Sequence, residues 1–175
     1  AQTIYKQWFV DFEFPDANGK PYKNNGGEME WCEELEKDVP LGWEFGKLSD
    51  IATIVMGQSP TGDNFNTEGN GDIFYQGRTE FGIRFPSIRN YTTTTKRKAK
   101  KGDILMSVRA PVGDMNFANQ EICIGRGLCS INAKNGRNKY LYYMLLNSMN
   151  DIKQKSTGTV FDSVNRNDLE NLEFN

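Results

Sequence analysis

The stretch from Lys100 to Ile131 leaves this chain the fewest choices of fold. Ile104, Leu105, Met106 and Val108 form an apolar run too short for a helix. Gly102-Asp103 opens the run and Pro111 closes it, the boundaries of a buried strand. Gly113-Asp114 is a turn signal. Ile122-Cys123-Ile124 and Leu128-Cys129-Ser130-Ile131 flank Gly125-Arg126-Gly127, which predicts two strands meeting around a glycine-rich connection. These strands predict the core of a mixed α/β (α+β) domain: a curved, mostly antiparallel sheet with flanking helices, preceded by a helical arm.

A chain of 175 residues has room for one domain, or one domain and an arm. Its 37% hydrophobic and 25% charged content is that of an ordered globular protein. No apolar run has the length of a membrane span, and no secretory signal opens the chain. The three cysteines, Cys32, Cys123 and Cys129, are odd in number and stand without a single histidine. That argues against a disulfide framework or a zinc site and fits a reducing cytoplasm. Cys123 and Cys129 can face each other across their turn, or serve as small buried apolar side chains.

The net charge of −2 hides an asymmetry. Residues 1–40 hold 4 basic against 9 acidic side chains, and residues 41–175 hold 17 against 14. From Arg84 to Lys101 there is no acidic residue, while Arg84, Arg89, Lys96, Arg97, Lys98, Lys100 and Lys101 interleave with Phe85, Tyr91 and Thr92 to Thr95. One positive face is enough for a protein that touches DNA.

The chain opens on Ala1, without a methionine, inside what reads as a helix. Ile4, Trp8 and Phe12 recur at helical spacing beside Tyr5 and Phe9, a stripe that should pack on something; Pro15 ends it. Residues 16–39 read as a linker, with turn residues, an acidic patch from Glu28 to Asp38, and Met29, Trp31 and Leu35 as anchors. Leu48, Ile51, Ala52 and Val55 follow helical spacing with Ser49 as a candidate cap, while Thr53 to Met56 reads equally as a strand. Residues 58–72 form a loop, and Ile73 to Gln76 a strand.

Tyr140 to Lys155 is the best helix, with Leu141, Leu145, Ser148 or Met149, and Ile152 on one face and Lys153 and Lys155 near its end. Thr157-Gly158-Thr159 reads as a turn leading to Val160-Phe161. Asn165 can cap a last helix with Asp168 at its third position, docked by Leu169 and Leu172. Phe174 enters a strand, so the end also reads as a cut.

Candidate catalytic chemistry is sparse. Without histidine there is no Ser-His-Asp or Cys-His pair. No phosphate loop occurs, and Gly125-Arg126-Gly127 is a tight turn rather than a dinucleotide fingerprint. Asp151-Ile152-Lys153 has the spacing of one arm of a nuclease site, but its Pro15-Asp16 companion lies far off in the linker. Glu33 and Glu34 sit where nothing excludes water. No catalytic residue, metal ligand or cofactor site emerges.

An ordered set of segments carries a resemblance. Tyr5 to Pro15, Gly42-Trp43 followed by Lys47 to Ala52, Lys101 to Gly113, Gly125 to Leu128, and Gly158 to Phe161 through Asn165 to Leu169 together resemble the specificity subunit of type I restriction–modification enzymes. The resemblance spans nearly the whole chain. It implies that residues 1–15 end a spacer helix and that residues 40–175 form a target-recognition domain reading one half of a bipartite DNA site. It implies a fold similar to the DNA-recognition domain of adenine-N6 methyltransferases. It also implies a non-catalytic subunit whose partners, methyltransferase subunits and through them restriction subunits, carry out methylation and cleavage. S-adenosylmethionine would then bind elsewhere.

The reading loops of such domains differ between relatives, so the contact residues follow from chemistry alone. Loops 58–65 and 76–98 form the expected contact face. Arg78, Arg84 and Arg89 can each fork onto a guanine edge, and Gln76 can pair with adenine. Lys96, Arg97, Lys98 and Lys100 can hold phosphates. Arg109 and Arg126 read as structural, and Thr157 and Thr159 as turn residues within reach of a phosphate. Two competing readings are a protein-interaction scaffold whose basic patch meets an acidic partner, and a methyltransferase or nuclease relative.

Overall fold

A computed structural model describes residues 1–155 and 163–174, with side chains of the long helix described as far as Met149. The roles expected of Asp151, Ile152, Lys153 and Lys155, the turn Thr157-Gly158-Thr159 and the Val160-Phe161 segment fall outside the described residues.

Helix α1 (Gln2–Phe9) leads into a hairpin of β1 (Met29–Cys32) and β2 (Lys37–Pro40). Then come β3 (Gly46–Lys47), α2 (Leu48–Ile51), β4 (Ala52–Met56), β5 (Phe65–Asn66) and β6 (Asp72–Tyr75). The chain continues through β7 (Asn90–Thr92), β8 (Lys98–Ala99), β9 (Ile104–Ser107), β10 (Met115–Phe117), β11 (Ile122–Ile124) and β12 (Leu128–Ala133). Helices α3 (Asn138–Lys155) and α4 (Arg166–Glu170) precede β13 (Glu173–Phe174), which pairs with β3.

The strands form two main sheets rather than the single curved one expected. A four-stranded antiparallel sheet has the order β10-β9-β12-β4, and a five-stranded sheet the order β5-β7-β6-β11-β8. The second is mixed, because β6 and β11 run parallel.

Strand β9 explains why its sequence does not alternate. Ile104 and Met106 face a cluster with Leu141, Leu145 and Leu169, under α3 and α4. Leu105 faces the opposite cluster, with Tyr75, Ile122, Ile124 and Leu128. Helices cover one side of the four-stranded sheet and the five-stranded sheet covers the other, so both faces must be apolar. Truncating Leu105 to Ala would leave a cavity costing about 2–5 kcal/mol.

Asp103 fixes the entry to β9. It is 5% exposed and accepts hydrogen bonds from Ser130 Oγ (2.6 Å), Asn132 Nδ2 (2.6 Å) and the Lys100 N–H (2.8 Å). Replacing it with Ala orphans the buried Ser130 hydroxyl and the part-buried Asn132 amide and Lys100 N–H. Asp103→Ala should therefore lower stability by about 2 kcal/mol, read from urea unfolding; a loss below about 0.5 kcal/mol, the scale of an ordinary surface change, would contradict this role.

Some local expectations hold and others need correction. Gly125-Arg126-Gly127 does not close a hairpin: β11 and β12 lie in different sheets, and the glycines carry the chain from one to the other. Cys123 and Cys129 are free and buried, and burial pushes the Cys129 thiol up to about 12. The Thr53 to Met56 strand exists, but only a single helical turn precedes it. Ser49 lies within that turn, and the Lys47 N–H donates to the Asp50 carboxylate (2.8 Å). Asn165 does cap α4, accepting from the Asp168 N–H (3.1 Å), while Asp168 accepts from the Asn165 N–H (2.8 Å).

The α1 stripe divides. Tyr5 and Phe9 pack on Tyr140 of α3, with ring centroids 5.6 and 5.0 Å away, whereas Ile4 and Trp8 are exposed. Phe12 is buried, in a left-handed turn after the helix. The segment read as an anchored linker contains the β1–β2 hairpin. It is held by Phe14 stacked between Tyr22 and Trp43 and by buried Val39, while Trp31 is exposed.

Candidate nucleic-acid interface

Strand direction decides which polar residues meet. Because β6 and β11 are parallel, their carboxyl ends emerge together, delivering Gln76 from one and Gly125-Arg126 from the other. Strands β7 and β8 run against them, so the residues that enter those strands, Arg89 and Lys96-Arg97, come to the same end. Across the sheet the order is Arg89, Gln76, Arg126, Arg97. Three strand spacings of about 4.8 Å make this row roughly 14 Å long. That is close to the width of the major groove of B-DNA, about 12 Å.

Backbones converge tightly behind the row. The Gly125 N–H donates to the Tyr75 carbonyl (2.8 Å), the Gly127 N–H to the Gln76 carbonyl (3.1 Å), and the Gln58 N–H to the Ile124 carbonyl (2.9 Å). A Cβ on Gly57 would lie 2.1 Å from the Gly125 oxygen, so only glycine permits this crossing. Ser59 then links two members of the row. Its hydroxyl donates to Gln76 Oε1 (2.9 Å) and accepts from the Arg126 N–H (3.1 Å). That bond orients the Gln76 amide with its donor nitrogen left over.

A cavity of about 460 Å³ opens beside this junction, lined in part by Gln76, Arg78, Thr79, Ser107, Arg109 and Arg126. Arg109 and Arg126 are exposed there.

The remaining candidates lie elsewhere or are already engaged. Arg78 forms an ion pair with Asp114. Lys98 contacts Glu121 (2.7 Å) and Asp72 (3.4 Å). The Glu121 bond first, and the field of Asp72, hold the Lys98 amine above its ordinary range. The Asp72 carboxyl lies below its own, chiefly through the Thr95 hydroxyl and then Lys98. Lys100 is exposed at the other end of β8. Arg84 is held at the far end of β9: the Phe117 N–H donates to its carbonyl (2.9 Å), and its guanidinium carbon lies 5.5 and 5.7 Å from the ring centroids of Phe85 and Phe117. The basic run is therefore not one cluster. Arg89, Lys96 and Arg97 join Gln76 at one end of the fold, and Arg84 and Lys100 do not. Among the described residues, no ion-pair partner stands against Arg89, Lys96, Arg97 or Arg126.

Also among the described residues, no group of three His, Cys, Asp or Glu is placed to hold a metal ion, and no helix is long and apolar enough to cross a membrane. The two sheets and their flanking helices form a domain of the mixed α/β class, with arginines and an oriented amide at one end of the five-stranded sheet. Comparison with known proteins gives the family. The type I restriction modification DNA specificity domain matches residues 40–175, and the chain belongs to that family. It is 38% identical over 141 residues to the type I restriction enzyme MjaX specificity subunit of Methanocaldococcus jannaschii, covering 78% of this chain and 33% of that protein.

Two solved structures are similar in fold and sequence. One is the HsdS subunit from Thermoanaerobacter tengcongensis, with TM-score 0.71 and 30% identity over 99% of this chain and 38% of that one. The other was solved in work on complex assembly and conformational transition of the type I R-M system, with TM-score 0.69 and 36% identity over 79% and 35%. The chain thus spans about a third of the length of these relatives. Specificity subunits of type I systems are non-catalytic.

Proposed function

We propose that this chain reads one half of a bipartite DNA target in the cytoplasm and directs methyltransferase subunits, and through them restriction subunits, to that site. Residues 40–175 are the reading domain, residues 16–39 join it to its arm, and residues 1–15 end the helix that spaces it from the second reader. The observation that carries this reading is the row Arg89, Gln76, Arg126, Arg97 at the shared end of β6 and β11.

Arg89 and Arg126 each present a planar fork that matches the O6 and N7 acceptors of guanine, and Gln76 offers an amide that matches N6 and N7 of adenine. Lys96 and Arg97 hold phosphates, which sets register without carrying sequence information. Lys98 contributes less, because two carboxylates already offset its charge. Arg78 reads a base only by sharing its guanidinium with Asp114.

Enrichment from a randomised duplex pool tests this reading. The chain should enrich a short contiguous motif, and its affinity for that motif should fall with salt. Three neutralised phosphates would give a slope of log K against log salt of roughly −3. Failure to retain any duplex at low salt would defeat the proposal and favour an acidic protein as the partner of the basic face.

A further inference from the structure

A second basic groove lies at the opposite end of β9 from the reading row. It has a volume of about 1030 Å³ and is lined by Arg84, Lys101, Arg137 and Lys139, with Phe85 and Phe117 among its aromatic walls. Its polar lining is completed by asparagines, and no aspartate or glutamate lines it. Among the described residues, none of the four cations has an ion-pair partner. Arg84 is already fixed in place by the two phenyl rings and by its backbone bond to Phe117.

Four cations gathered without a counter-charge repel one another, and an anion with spaced charges relieves that repulsion. The acid-free chain from Arg84 to Lys101 connects this groove to the row, since Arg89, Lys96 and Arg97 lie within the same segment. The two ends of β9 are on the order of 10 Å apart along the strand. With the loops added, that is the span of a few base pairs at 3.4 Å each.

We propose that the groove is a second DNA-backbone site, gripping phosphates of the duplex that flanks the bases being read. This rests on the target-reading proposal. The occupant is a phosphodiester backbone rather than an acidic peptide, because the acid-free segment that contributes Arg84 and Lys101 to the groove also contributes Arg89, Lys96 and Arg97 to the reading end. Phosphate contacts at this end add affinity and no sequence preference.

The test compares the chain with a Lys101→Glu, Arg137→Glu, Lys139→Glu variant, with the neutral Lys101→Gln, Lys139→Gln variant, and with Lys20→Glu as a remote charge control. Each is titrated with the selected motif in a duplex of about 12 base pairs and in one of about 30. On the longer duplex the charge reversal should weaken binding by ~30- to 100-fold and make the salt slope shallower by about 2 to 3. The neutral variant should lose less, in the same direction, and the preference for motif over scrambled sequence should persist in all three. Equal losses on both duplexes, or losses no larger than for Lys20→Glu, with wild-type melting curves, would overturn the groove while leaving target reading intact. So would unchanged DNA binding accompanied by loss of binding to polyglutamate, which would assign the groove to an acidic protein. If the unaltered chain binds neither duplex, both proposals fall.

Discussion

Replacing Gly57 with Ala should cost this protein about 3 kcal/mol or more of stability, the upper range for forcing an extra carbon into a packed interior. The new Cβ would lie 2.1 Å from the Gly125 oxygen, 2.7 Å from the Leu128 oxygen and 2.9 Å from the Gly125 carbonyl carbon. All three are backbone atoms, so no side chain can swing aside to make room. Relief requires β4 to part from the junction of β11 and β12, breaking the bond from the Gly57 N–H to the Leu128 carbonyl (2.9 Å). It would also carry Ser59 away from Gln76 and Arg126. For a chain of this size the melting temperature should drop by roughly 6–12 °C. Denaturant unfolding with an unchanged slope would measure the loss cleanly. A change within about 0.5 kcal/mol, the scale of an ordinary surface substitution, would mean that the crossing is looser than the backbone positions imply.

The second large effect concerns recognition. Substituting Gln76, Arg89 and Arg126 together with Ala should erase most of the preference for the selected motif over scrambled DNA. A bidentate base contact is worth about 1–3 kcal/mol of discrimination, so three of them amount to several powers of ten. Stability should hardly move, since all three side chains are exposed. The carbonyls of Tyr75 and Gln76 that accept from the glycine N–H groups are untouched by truncation beyond Cβ. A variant that keeps its preference would remove these residues from the reading of bases.

The core was legible in the sequence because burial leaves a local mark. Ile104 to Val108 read as a buried strand, and the stripe of Leu141, Leu145 and Ser148 or Met149 as one face of a helix. Asn165 and Asp168 announced a capped helix through side chains three residues apart. What was not legible depended on pairing between distant segments. Gly125-Arg126-Gly127 has the local look of a hairpin turn, but whether two flanking strands pair with each other or with others is set by β6, β8, β9 and β4. The same ignorance of pairing hid the row. Arg89 and Arg97 are close in sequence to Arg84 and Lys100, yet strand direction sends the first two to one end of the fold and the others away from it. Lys98 and Arg78 looked available because the carboxylates that engage them, at Asp72, Glu121 and Asp114, are remote in the chain. On α1, helical spacing correctly gave an apolar surface, but only the position of Tyr140 determines that Tyr5 and Phe9, rather than Ile4 and Trp8, are covered.

One comparison tests most directly whether base reading and phosphate holding are divided along this sheet end. Affinities for the selected motif and for scrambled duplex are measured at two salt concentrations, for the chain, for the Gln76, Arg89, Arg126 alanine variant, and for a Lys96→Ala, Arg97→Ala variant. The predicted result is that the first variant loses its motif-to-scrambled ratio. The second should keep the ratio, bind both duplexes more weakly, and show a slope shallower by about 2. A ratio that collapses in the lysine–arginine variant and survives in the other would contradict the account.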